Sequence, residues 1–221
     1  DVLPLFKGHE RHFLGASEHH GGDGPLSVDK ARARWDILDA WRDAAVFEGI
    51  PKTEDFNRGD NFGSSYFQLT QQGGLRCSAA KAFLKPVLNR PNLTLELNAH
   101  VRNLVLDGRR ATGVAYRRDG VDRIAHCAGE VILAAGAVMT PQVLELSGVG
   151  RGDVLSRLGI PVVNDLPGVG ENLQDHLQLR PMFKVEGVKT LNEMDQSLIQ
   201  KAWMALEFAL FRKGPLTMPP S

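Results

Sequence analysis

Charge bias is absent from this sequence: 26 Lys and Arg balance 26 Asp and Glu, the formal net charge is zero, and no block of like charge breaks the mixture. A nucleic-acid partner needs a basic face or stripe, so that class is excluded. Cysteine is scarce. Cys77 and Cys127 are too few for a disulfide framework and have no metal-ligand spacing, so two reduced thiols in a cytoplasmic protein are expected. His19-His20 has no Cys, Asp or Glu at ligand spacing, so no metal site is expected and the pair is assigned to a surface loop. No apolar run approaches bilayer length and no signal peptide is evident. The dinucleotide fingerprint G-x-G-x-x-G is missing as well. Gly148-Val149-Gly150-Arg151-Gly152-Asp153 and Gly168-Val169-Gly170-Glu171-Asn172-Leu173 begin correctly but carry Asp153 and Leu173 at the sixth place. Neither directly follows a strand, so both are expected to be turns. There is no internal repeat or low-complexity tract. The chain opens on Asp1 rather than Met, which reads as a piece of a longer protein.

What is present has an order. A loop rich in Gly, His and Ser (15–27) precedes a helix over 29–48, whose Trp35, Leu38, Trp41 and Ala45 recur at spacings of three and four as one apolar stripe. Gly49-Ile50-Pro51 should end it. Residues 52–76 read as an ordered loop and 78–88 as a second helix. Then the period changes. Leu93 to Leu97 alternates as a strand does, and 101–106, 112–117 and 121–126 form a three-stranded meander joined at Asp107-Gly108 and Asp119-Gly120, both hairpin signals. Glu130 to Ala135 is a continuous apolar run, the pattern of a parallel strand covered on both faces. Helices are expected at 140–147 and 152–158, an extended piece at 161–163, and a strand at 177–185. A last helix over 195–212 carries a broad apolar face of Leu198, Ile199, Ala202, Trp203, Leu206, Ala209 and Leu210. Core packing is the favoured use of that face, and peripheral contact with a membrane surface the alternative.

The most informative segment is Gly136-Ala137-Val138-Met139-Thr140-Pro141-Gln142-Val143-Leu144-Glu145-Leu146-Ser147-Gly148-Val149-Gly150. A small-residue turn between an apolar run and a helix lets backbone approach a ligand, and the helix start offers unpaired N–H groups to an anion. Alongside it stand His20-Gly21-Gly22-Asp23-Gly24-Pro25-Leu26, the run Gln71 to Ala80, Arg90-Pro91-Asn92-Leu93-Thr94, the run Asp107 to Val114, the run Asp165 to His176, and Gly214-Pro215-Leu216. Together, in this order, they resemble the middle of a glucose–methanol–choline (GMC) oxidoreductase, nearest in wording to the choline and other alcohol dehydrogenases.

That resemblance implies an α/β fold containing part of an FAD-binding domain with a β-meander, plus part of a substrate domain with antiparallel sheet and helices. By the same resemblance, residues 1–75 are a substrate-side segment, 76–176 the FAD-binding portion, and 177–221 the start of the main substrate-domain segment. It implies FAD as cofactor and a small alcohol, choline-like or another primary alcohol, as substrate. In the family a histidine takes the hydroxyl proton while hydride passes to flavin N5. That histidine lies towards the family's C-terminus, so no residue of this chain is assigned a catalytic role. Three residues carry over to the cofactor: Val101, whose family counterpart meets the adenine edge through its backbone, and Ala135 and Gly136, which match the turn beside the adenosine ribose. Asn172, Asp175 and His176 match a motif before the crossover to the substrate domain, where hydrogen bonding is the expected role. Tyr66, Gln68 and Gln71 belong to the loop that the family places near substrate and flavin.

Two other readings stay open. One is a catalytically inactive module of the same fold acting as a binding protein; the other is an NAD-dependent Rossmann enzyme, disfavoured by the missing fingerprint. The chain alone is expected to lack activity, to hold no flavin, and to self-associate through unpaired apolar edges. Its alcohol, its electron acceptor and its oligomeric state are left undetermined.

Overall fold

A computed structural model describes residues 2–179 and 182–218. The chain divides into two compact units, one of residues 1–93 with 182–221, the other of residues 94–181.

The first unit opens with α1 (Leu3–His9), β1 (Glu10–His12) and β2 (Leu26–Val28), the two strands pairing in parallel. Helix α2 covers Asp36–Phe47 rather than 29–48. The start is later because Asp29 exchanges backbone hydrogen bonds with Leu69, at 2.9 and 2.8 Å, which hold it extended. The end is as expected. Gly49 takes φ +85°, its N–H bonds Val46 C=O and that of Ile50 bonds Ala45 C=O, the paired bonds of a Schellman motif. The expected apolar stripe does not hold. Trp41 is 62% exposed, whereas Arg42 and Ala45 are buried. Strands β3 (Gln71–Gln72) and β4 (Leu75–Arg76) form a tight hairpin around Gly73 and Gly74, both at positive φ. The expected second helix is a π-turn (Ala80–Leu84) followed by a 3-10 turn (Lys85–Val87), because Pro86 has no N–H to continue a regular ladder.

The second unit holds the meander as expected: β5 (His100–Asp107), β6 (Arg110–Arg118) and β7 (Val121–His126), antiparallel throughout. Its second turn places Asp119 at φ +52° and Gly120 at +77°, the left-handed pair that matches the twist of a hairpin. On β7, the hydrogen-bonded Arg117 guanidinium, helped by Arg102, holds the Asp122 carboxylate at about 2. Helix α3 (Gly136–Leu146) packs on β5. Strand β8 (Val149–Gly150), α4 (Gly152–Arg157) and β9 (Asn164–Asp165) follow, with β8 and β9 parallel. Leu155, the most deeply buried large side chain, plugs this end.

Gly148 makes the α3–β8 turn possible. It stands at φ +82°, and an added Cβ would lie 2.4 Å from the Pro161 carbonyl oxygen. Gly148→Ala therefore meets both left-handed strain and a backbone clash, and is expected to cost about 3 kcal/mol. Gly108→Ala, at φ +56° with nothing near the added atom, should cost about 1 kcal/mol. Urea midpoints compare them, and equal losses would remove the clash from the account.

Back in the first unit, α5 (Leu191–Gln196) and α6 (Leu198–Phe211) replace the single helix expected over 195–212. Ser197 breaks it by accepting the Gln200 N–H as an N-cap.

Three expected strands are not formed. Leu93 to Leu97, Glu130 to Ala135, and the described parts of 177–185 (177–179 and 182–185) have no ladder partner. Arg180 and Pro181, also within that last range, lie outside the described residues. A strand buried on both faces exists only through its neighbours, and no described residue supplies them. Ile132 is 78% exposed and Leu177 is 92% exposed. The broad face of α6 is also uncovered. Only Met204 is buried, while Ile199 is 83% exposed.

Candidate functional site

All three expected cofactor residues fall in the second unit. Ala135 and Gly136 form the start of α3, and Val101 lies near the start of β5. Ser147 fixes α3 to β5. Its hydroxyl accepts the Leu104 N–H at 2.8 Å and donates to the Val143 carbonyl, so a buried backbone donor and the helix end are satisfied by one side chain. Val101 pairs with Tyr116 beside a bulge at Arg102. No described strand pairs with the outer edge of β5.

At the helix start, Gly136 takes φ +87° and has open space where a Cβ would stand. Ala135, Gly136 and Ala137 are all exposed. The Ala135 N–H donates to Thr140 Oγ1 at 3.1 Å, which steadies the turn. Nearby, a cavity of about 630 Å³ is lined by Ala137, Val138, Pro141 and Glu145 of α3 and by residues 168–174. A side-chain-free helix start with N–H groups directed outward suits the sugar and phosphate of a dinucleotide, so the residues present fit the adenosine end of FAD. Asn172 stands at φ +56°, and the His176 N–H bonds the Asp175 carboxylate at 2.8 Å. Gly168 to Gly170 form a turn as expected, whereas of Gly148–Asp153 only Gly148 does, the rest being β8 and the start of α4.

The first unit holds a second constellation that the sequence did not reveal. His20, assigned to a surface loop, is 6% exposed. Its Nδ1 meets Glu10 at 2.9 Å and its Nε2 meets Asp55 at 2.7 Å. Its ring stacks on His12 at 4.0 Å between centroids. His12 accepts the Leu14 N–H at Nδ1 and faces Gln68 Oε1 at 3.0 Å through Nε2. Burial acts to lower the His20 pKa, but the hydrogen bonds to Asp55 and then Glu10 outweigh it and raise the pKa. Burial likewise acts to raise the Asp55 pKa, and the Asn57 N–H and the His20 ring more than offset it. The imidazolium thus ties β1, the 15–27 loop and the 52–70 loop together. Separations of 10 and 35 residues along irregular chain gave no periodic signal to find it by.

Beside this cluster lies a cavity of about 600 Å³, lined among others by Tyr66 and Gln68. Gln71 is not part of its wall; it is buried and donates to the Lys30 carbonyl. No group of three or more His, Cys, Asp or Glu among the described residues could hold a metal ion. No described helix is long and apolar enough to cross a membrane.

Comparison with known proteins places these features in a family. Residues 1–178 match the family model described as GMC oxidoreductase. The chain is 46% identical over 177 residues to the mitochondrial choline dehydrogenase of Mus musculus, covering 80% of the chain and 30% of that protein. It is 42% identical over 211 residues to the oxygen-dependent choline dehydrogenase of Burkholderia multivorans, covering 92% and 37% respectively. Among solved structures, an FAD-dependent oxidoreductase from Chaetomium thermophilum superposes with a TM-score of 0.84 at 25% identity, over 98% of this chain and 40% of that one. The chain therefore spans about a third of the length of the relatives it matches.

Proposed function

The chain belongs to the GMC oxidoreductase family, and from that premise we propose that the protein carrying it is an FAD-dependent oxidoreductase acting on a small primary alcohol of choline-like type. The exposed glycine start of α3, docked on the meander by Ser147, is the observation that carries this reading. Bound FAD would supply the acceptor for hydride leaving the carbinol carbon.

The residues of this chain bind and orient. Gly136 and Ala135 would admit the adenosine sugar, because neither presents a side chain that blocks the helix start. The first-turn N–H groups of α3 would favour the neighbouring phosphate. Val101 would offer backbone to the adenine edge. In the same reading, residues 76–176 serve the cofactor, and 1–75 with 177–221 the substrate side. The proton acceptor for the alcohol is not assigned to this chain. We also place the protein in the cytoplasm, with any membrane contact peripheral, which cell fractionation tests directly.

The test uses the protein expressed from its own gene. We expect a yellow protein with flavin absorbance that bleaches anaerobically on addition of choline or a related primary alcohol. Gly136→Val should lower FAD affinity by roughly tenfold or more, since about 1.4 kcal/mol of steric loss suffices for that; its φ of +87° also strains the folded chain, so affinities are compared at a temperature where parent and variant are both folded. A colourless gene product, or flavin that no alcohol reduces, would overturn the reading and favour a binding module of the same fold.

A further inference from the structure

The 600 Å³ cavity of the first unit gathers positive charge with no described use. Arg42, from α2, is only 9% exposed and lines it. Among the described residues its Nε has no hydrogen-bond partner. Its nearest carboxylate oxygens, on Glu54 at 3.7 Å and Asp39 at 3.9 Å, stand beyond hydrogen-bond reach. Leaving a buried guanidinium N–H unpaired is costly.

Arg34 lines the same cavity, and both guanidinium carbons lie 5.4 Å from the centroid of the Tyr66 ring. The phenol is anchored by two bonds to the Trp35 backbone, giving its O–H to the carbonyl and accepting the N–H. It therefore presents a fixed plane to both cations. Lys30 and Arg58 complete the basic wall. Of the acids around the cavity, Asp55 is engaged by His20, and the Glu54 side chain is largely in solvent; Glu18 is exposed.

We propose that this cavity is a binding site for an oxoanion, the carboxylate or phosphate group of a small molecule, held by the Arg42 and Arg34 guanidinium groups beside the Tyr66 ring. Guanidinium forks match the planar oxygens of such groups, and a charged acceptor at Arg42 Nε would satisfy the orphaned donor. The site does not involve α3 or the meander; its wall includes Tyr66 and Gln68, of the segment assigned to the substrate side.

Thermal melts and calorimetry on the protein expressed from its own gene, with inorganic phosphate and with acetate, each against sodium chloride at matched ionic strength, test it. A saturable rise in melting temperature with at least one of the two anions is expected. Phosphate alone would identify a phosphate group, acetate alone a carboxylate, and either result supports the site. Arg42→Gln and Arg34→Gln should each weaken the apparent Kd by about tenfold or more. Arg34 is exposed, so its variant keeps the fold and decides the matter if Arg42→Gln does not fold. Shifts no larger than with chloride, or binding equally tight in Arg34→Gln, would overturn the proposal.

Discussion

His20→Gln is expected to melt far below the parent chain near pH 5.5 and to recover that deficit as pH rises through the raised folded pKa of the parent's imidazole. The ring lies between Glu10 and Asp55 with little solvent around it. Removing the cation leaves two carboxylates facing each other without their partner, a loss of about 3 kcal/mol for a buried pair. The pH dependence follows from linkage. A raised His20 pKa gives stability that is complete below the ordinary imidazole value, near 6.5, and is lost as pH rises through the raised folded value. A lowered Asp55 pKa gives stability that is complete above the ordinary carboxylate value, near 3.9, and is lost as pH falls through the lowered one. Both contributions are therefore present together between about pH 4 and pH 6.5. Within that window the difference between parent and variant is greatest. Asp55→Asn should show the same window with a smaller loss, because Glu10 still holds Nδ1. Urea denaturation of parent and variants across pH 4 to 9 measures this. A deficit of equal size at pH 5.5 and pH 8.5 would mean that the ring acts by shape, through its stacking on His12, and not by charge.

The chain by itself is expected to self-associate and to stay colourless when mixed with FAD and passed through gel filtration. Two sets of apolar side chains are mostly exposed to water: Leu177, Leu179, Met182 and Phe183, and Leu198, Ile199, Trp203 and Leu210 on α6. At about 25 cal/mol per Å² of apolar surface covered, uncovered faces of this size favour association at roughly 50 µM. Ile199→Lys with Leu210→Lys should raise the monomer fraction, since both lie on the uncovered face of a helix that needs neither for its own hydrogen bonds. Light scattering after gel filtration reads the mass. A clean monomer at that concentration, retaining one flavin per chain, would sink the expectation.

Much of this protein was legible before any fold was known. Asp119-Gly120 announced a hairpin and Gly49-Ile50-Pro51 a helix end, because positive φ is a property of a residue and its immediate neighbours. The meander followed from three short strand segments joined by the Asp-Gly hairpin signals. The wording of Gly136 to Gly150 pointed to one flavoenzyme family, and the match over residues 1–178 shows that membership. Local reasoning failed where the outcome belongs to partners. Glu130 to Ala135 has the composition of a central strand, but a strand draws its hydrogen bonds from other strands, and none among the described residues pairs with it. On α2 the periodicity selected Trp41 for burial, while packing buried Arg42 against Tyr66 instead.

The sequence by itself determined the family and the tight turns at Gly49 and Asp119-Gly120, since these rest on backbone freedom and residue wording that no distant contact alters. Only the tertiary structure decided that His20 is buried between Glu10 and Asp55, and that Arg42 turns inward with its Nε unpaired among the described residues. A charge changes its energy by what surrounds it in space, and those surroundings come from segments 10 to 35 residues away along irregular chain.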